Sequence, residues 1–195
     1  MISQIAVSAL DVADLRTFAW DVATSATMTE NADLSRLALA AIEELTARGA
    51  SGPVDVYLLG SLLARLGNAE GAVGRMEAIA ATHPASPEYK AVIGNLYEEL
   101  GDWERAFRWW EAATADAGSG WTATDWLEWG TWERKAAYWG QAQELVPARA
   151  CLAEARRLFL RSQGNTPDAA RAWNSRIAVQ SELRNVADAI GSDET

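Results

Sequence analysis

Apolar residues recur along the chain at intervals of three and four and nowhere alternate with period two, so the pattern predicts helices and no strands. Leu15, Phe18 and Val22 predict a helix from Asp11 to about Thr27, facing a second from Ala32 to Arg48 through Leu34, Leu37, Ala41 and Leu45. Gly49 ends that pair. Further on, Pro87 suits a first helical turn, Ile93, Tyr97 and Leu100 form a stripe, and Gly101 supplies the left-handed turn that stops it. Asp102 then caps a following helix that keeps Ala106, Trp110 and Ala113 on one face. The next helical pattern runs through Trp132, Ala136 and Trp139 toward Gln143, and another spans Pro147 to about Arg161. After the break at Gly164-Asn165-Thr166, a last helix runs from Pro167 to about Ile190, leaving 191–195 as a frayed tail.

One stretch repeats. Pro53, Leu59, Gly60, Leu66, Gly67, Ala72 and Met76 return 34 residues later as Pro87, Ile93, Gly94, Leu100, Gly101, Ala106 and Trp110. Each unit reads as two helices joined by a tight turn. These residues resemble the tetratricopeptide repeat (TPR) family, whose signature is W-x2-L-G-x2-Y, then A-x3-F, then P. Residues 87–120 give Lys90-x2-Ile93-Gly94-x2-Tyr97 and Ala106-x3-Trp110, with Gly118 in place of the proline. Residues 53–86 give Val56-x2-Leu59-Gly60-x2-Leu63, Ala72-x3-Met76 and Pro84. Trp126-Leu127-Glu128-Trp129-Gly130 mimics the opening once more, in a unit about eight residues longer than the standard one.

The expectation is therefore an all-α chain with one domain over 1–190, made of about four helix-turn-helix units and a C-terminal capping helix. The units are a divergent pair at 10–49, repeats at 53–86 and 87–120, and an expanded unit at 121–163, with the cap at 167–190. The resemblance implies a right-handed α-solenoid whose first helices line a concave face.

Composition narrows the function. Of 195 residues, 49% are hydrophobic and 23% charged, which is globular composition, and the net charge of -10 disfavours nucleic acid, whose phosphates need a concentrated basic surface. No stretch approaches the length of a membrane span, and Met1 to Leu10 lacks the pattern of a secretory signal, so a cytoplasmic protein is expected. One cysteine, Cys151, and one histidine, His83, cannot assemble a zinc set, and no cofactor is expected. Cys151 reads as a small buried thiol and His83 as a residue in the last turn of a helix. Glu43 with Glu44, Glu98 with Glu99, and Glu128 with Glu133 read as solvated acids rather than shared proton sites. No phosphate-binding or nucleophile-elbow spacing occurs, so no enzyme is expected.

The tryptophans number 10, and eight of them lie between Trp103 and Trp139. Trp129, Trp132 and Trp139 fall within an arc of about 80 degrees on one helix. One reading makes them packing, since each indole buries about 150 to 250 Å². The other is an aromatic recognition surface that includes Trp109, Trp121 or Trp126. The resemblance places Tyr57, Ser61, Arg65, Glu88, Asn95, Glu98, Leu127 and Arg134 along the groove, a mixed lining with an acidic centre. It also implies a scaffold or adaptor that holds a peptide or partner protein, and the acidic balance with Glu88 and Glu98 favours a partner with basic residues among apolar anchors. A dedicated secretion or assembly chaperone, a small-molecule module closing its Trp129/Trp132/Trp139 face, and a homo-oligomer formed through an uncapped end or Trp109 are the alternatives.

Overall fold

The computed structural model describes residues 7–115, 121 and 125–192, excluding the side chains of 125, 179 and 181–192. The stretch Gly118-Ser119-Gly120, whose composition is that of a short linker, and the tail residues 193–195 lie outside that description. The described residues contain nine helices longer than a turn and no strand. They are α1 (Val12–Thr29), α2 (Ala32–Ala47), α3 (Pro53–Arg65), α4 (Ala69–Ala81), α5 (Pro87–Glu99), α6 (Trp103–Thr114), α7 (Asp125–Gln141), α8 (Leu145–Ser162) and α9 (Pro167–Ser192). The chain divides into two compact units, residues 1–122 and 123–195.

In the first unit, α1 packs on α2, α3 on α4 and α5 on α6, and successive pairs touch through α2 and α3 and through α4 and α5. The first helices of the pairs also meet, α1 with α3 and α3 with α5. Local chemistry sets the corners. Asp11 caps α1 by accepting from the Asp14 amide at 2.9 Å, and Asn31 caps α2 by accepting from the amides of Asp33 and Leu34. The two repeats share one device: proline begins the first helix, and a glycine with positive φ ends it. At Gly101, where φ is 78°, the next amide, from Asp102, returns to the Tyr97 carbonyl at 2.9 Å. The Asp102 side chain then accepts from the Arg105 amide at 3.0 Å, so one turn closes α5 and opens α6.

The first pair differs from the expected bulky stripe. Its interior is built from Leu15, Ala19, Ala23 and Ala26 of α1 against Ala38, Ala41, Ile42 and Leu45 of α2, all nearly or fully buried. Phe18 and Val22 are only partly buried at the margin. Small alanines bring the two backbones close, and the larger rings cover the seam that remains.

The two repeated glycines serve a different need. A methyl group on Gly60 would lie 2.1 Å from Met76 Sδ and 3.1 Å from Leu96 Cδ2. On Gly94 it would lie 2.5 Å from both Cδ1 and Nε1 of Trp110 and 3.1 Å from the Ala106 carbonyl oxygen. In both pairs a large residue of the second helix occupies the space that a side chain on the first would take. Trp110 is fully buried there, and its Nε1 donates to Asn95 Oδ1 at 3.0 Å.

In the second unit α7 packs along α8, and α9 also touches α8. Leu127, Thr131 and Ala136 face Cys151, Ala155 and Leu158 in the interior. Thr131 satisfies its buried hydroxyl by donating to the Leu127 carbonyl at 2.7 Å. The aromatic part of this unit is a cluster in which Trp129 meets Phe159 edge-on at 5.4 Å and Trp173 at 6.5 Å.

Gly94→Ala is expected to lower unfolding free energy by about 2 to 3 kcal/mol, because the indole has nowhere to move without losing Asn95. Gly74→Ala, at an open position in α4, is expected to raise it by about 0.5 to 1 kcal/mol through helix propensity alone. Urea titrations followed by circular dichroism check both signs; equal effects would discount the close approach.

Candidate functional site

The contact of α1 with α3 and of α3 with α5 brings polar side chains of the three helices together within the first unit, and Asp55 is buried among them. That side chain is 5% exposed yet carries a charge, which requires compensation. Arg16 supplies it, with Nε at 3.0 and 3.2 Å from the two carboxylate oxygens, while its Nη2 donates to the Ala50 carbonyl at 2.6 Å. Trp20 Nε1 donates to Asp55 Oδ1 at 3.2 Å, and the Gly52 amide donates to Oδ2 at 2.9 Å. One acid thus holds α1, the loop before α3 and α3 itself in register. At the far end of the same helices, Arg65 of α3 donates to the Thr27 hydroxyl of α1.

Between α3 and α5, the exposed Glu99 carboxylate receives hydrogen bonds from two hydroxyls. Tyr57 donates to its Oε1, and Ser61 donates to its Oε2 at 2.8 Å. The result is a fixed, solvent-facing anion with an aromatic ring beside it. Tyr57, Ser61 and Arg65, all expected on the groove, therefore lie on α3 and reach its two neighbouring first helices. Glu99 and Asp55 were not among the expected groove residues. Their signal in the sequence is slight: Glu99 is one of two consecutive acids, and Asp55 is the third residue of a helix begun by proline.

The remaining expected residues are distributed differently. Glu88 is 3% exposed, close to the Ser86 hydroxyl, which donates to it at 2.7 Å. Asn95 is buried as the acceptor for Trp110. Glu98 is half-buried on α5. Leu127 is fully buried within the second unit, and Arg134 is half-buried there, with Nη1 3.5 Å from the Gly130 carbonyl. Trp109 and Trp121 are half-buried, and Trp126 is 46% exposed. Trp129, Trp132 and Trp139 have separate neighbours: the Phe159/Trp173 cluster, the Lys135 ammonium at 4.6 Å, and the Tyr138 ring at 5.5 Å.

The solvated face expected for Glu128 and Glu133 does not form. Both are buried, because arginines from later helices reach them: Arg161 meets Glu128 at 2.8 Å, and Arg176 grips Glu133 through Nε and Nη2 at 3.0 and 2.8 Å. Arg176 also lies over the Trp129 ring at 4.8 Å, so one guanidinium joins the aromatic cluster to the buried acid. Cys151 is buried, as its alanine-rich surroundings suggested, and His83 is an exposed residue whose ring stacks on Tyr89 at 4.5 Å. No helix among the described residues is long and apolar enough to cross a membrane.

No protein-family model and no curated protein sequence matches the chain.

Tyr89 gives this face a pH signature. Burial first, then the negative charges of Asp55 and Glu88, push its phenol above the usual value near 10. The folded chain therefore retains this proton more strongly than the unfolded chain does. The resulting stability is fully present below about pH 10 and is lost as pH rises through the folded-state value. Tyr89→Phe is expected to flatten the alkaline loss of stability, measured as the urea midpoint between about pH 9 and 11. Parallel curves for the two proteins would show that Tyr89 does not carry it.

Proposed function

We propose that the chain is a non-enzymatic TPR-like scaffold or adaptor, with the three helix pairs of its first unit read as repeats of a right-handed solenoid. The reading is supported by the same proline start, glycine stop and glycine-to-large-residue contact occurring 34 residues apart in two consecutive pairs. The binding face in this proposal is the one shared by α1, α3 and α5. The observation that carries it is the exposed Glu99 carboxylate held by Tyr57 and Ser61. Two hydroxyls hold the anion in place before any partner arrives, which reduces the ordering cost of receiving a cation. Tyr57 adds a rigid aromatic surface next to it.

The partner that fits is a peptide segment presenting an Arg or Lys with an apolar side chain nearby. Glu99 receives the cation, and the ring and hydroxyl of Tyr57 set its direction. Glu88 has no part in that contact, because its carboxylate is buried. The acidic balance of the chain assists encounter with such a segment and makes the association sensitive to salt.

An array of immobilised peptides, each with one Arg or Lys flanked by Leu, Phe or Tyr, tests the proposal directly. The full chain is expected to retain a subset, with Glu99→Gln weakening those interactions about tenfold and salt weakening them further. Tyr57→Phe keeps the ring and loosens the carboxylate, so a smaller loss is expected. Retention of no peptide, or equal retention by Glu99→Gln, would reject this face as the binding surface.

A further inference from the structure

The second unit carries a separate surface with the opposite charge character. Residues 1–122 contain 17 acidic and 8 basic side chains, a net charge of -9, whereas residues 123–195 contain 10 and 9, a net charge of -1. Within the second unit, α8 has four arginines, Arg149, Arg156, Arg157 and Arg161, against the single acid Glu154. Two of the four are committed: Arg157 pairs with Glu154 at 2.8 Å, and Arg161 pairs with the buried Glu128. Arg149 and Arg156 are exposed and have no carboxylate partner among the described residues.

The spacing of these two cations is helical. Leu145, Arg149, Leu152 and Arg156 sit at i, i+4, i+7 and i+11, which places them within an arc of about 60 degrees. The two guanidinium-bearing positions are about 10 Å apart along the axis. Leu145, Arg149 and Leu152 of this ridge line a mostly apolar cleft of about 200 Å³, whose other walls are Ala136, Ala137 and Gly140 of α7, Ala148 of α8, and Ile177 and Gln180 of α9; Arg156 continues the row one turn beyond it. At its N-terminal end, Leu145 and Val146 are 60% and 82% exposed, a local apolar display that folding alone does not require. Glu133 also borders the cleft, but its charge is already balanced by the two-point contact with Arg176.

We infer that this cleft and the Arg149/Arg156 ridge form a second docking surface, whose occupant is an amphipathic helix of a partner protein bearing acidic residues seven apart. Alanine and glycine walls let a helix backbone approach closely, and an apolar stripe at spacings of three and four fills the cleft. Carboxylates one heptad apart then face Arg149 and Arg156. This surface belongs wholly to the second unit and does not rest on the Glu99 face. Its ligand has the opposite charge, so the two surfaces can be tested independently in one protein.

The probe is a phage-displayed library on a fixed helical scaffold with the outward positions randomised, selected against the full chain. Enrichment of Asp or Glu seven residues apart, flanked by Leu, Ile or Met, is the expected result. The selected helices are expected to bind the Arg149→Gln/Arg156→Gln variant about tenfold more weakly, with affinity in the wild type falling as salt rises. Both arginines are exposed and lack a carboxylate partner among the described residues, so the variant is expected to keep its helical circular dichroism and melting temperature. Ala137→Trp, which fills the cleft without touching charge, is expected to abolish binding, whereas Glu99→Gln leaves it unchanged. Failure to enrich acidic helices, or equal binding by the arginine variant, would overturn the proposal. Concentration-dependent self-association of the chain that the arginine variant removes would also overturn it, by assigning the surface to a second copy.

Discussion

Trp110 can be fully buried in the first unit only because Gly94 has no side chain. Its indole occupies the place of the absent methyl group, touches the backbone of the first helix and finds a buried acceptor in Asn95. Met76 enters the space left at Gly60 by the same geometry, one repeat earlier. This constraint fixes how far a second helix stands from its first and therefore which residues are left to face outward. It accounts for the burial of Asn95, which a description of the groove by sequence position puts on the surface. The Trp103 ring then packs edge-on to Trp110 at 6.4 Å, so two of the crowded tryptophans are consumed in making one helix pair.

Charge is used in the same economical way. Asp55, Glu128 and Glu133 are all buried, and each is met by an arginine from a helix distant in sequence. A buried acid without such a partner would be strongly destabilising, so these pairs specify which helix faces which more than they add net stability. Asp55 aligns α1 with α3, Glu128 aligns α7 with α8, and Glu133 aligns α7 with α9. Most of the chain's net charge resides in its first unit, while α8 presents Arg149 and Arg156, which have no carboxylate partner among the described residues. A single value of -10 conceals that contrast.

The candidate faces were legible in part. Tyr57, Ser61 and Arg65 are accessible to sequence reasoning because the TPR resemblance assigns them to the groove-lining side of a first helix, and they do reach the neighbouring first helices. Glu99 was not, because its importance arises from two hydroxyls contributed by a helix about 40 residues away. Glu88 read as a groove acid because helical periodicity reports direction without depth. Leu127 stands at a groove position by repeat register, yet it is fully buried in the second unit. The tryptophan arc lies on α7, but its three rings go to different neighbours: Phe159 and Trp173 for Trp129, Lys135 for Trp132 and Tyr138 for Trp139.

The sequence by itself determined the helical character, the positions of the corners and the recurrence of Gly60 and Met76 as Gly94 and Trp110 at an offset of 34 residues. Those features depend on residues within one turn or one helix hairpin, where propensity, capping and left-handed glycine act locally. Only the tertiary structure decided which acids are buried, which arginines are consumed by them and which are left free. It also decided that Phe18 and Val22 stay at the margin while alanines join Leu15, Ile42 and Leu45 in the seam between α1 and α2. Burial and pairing depend on what a distant helix brings within about 3 Å of a given atom, and a one-dimensional period carries no information about that distance.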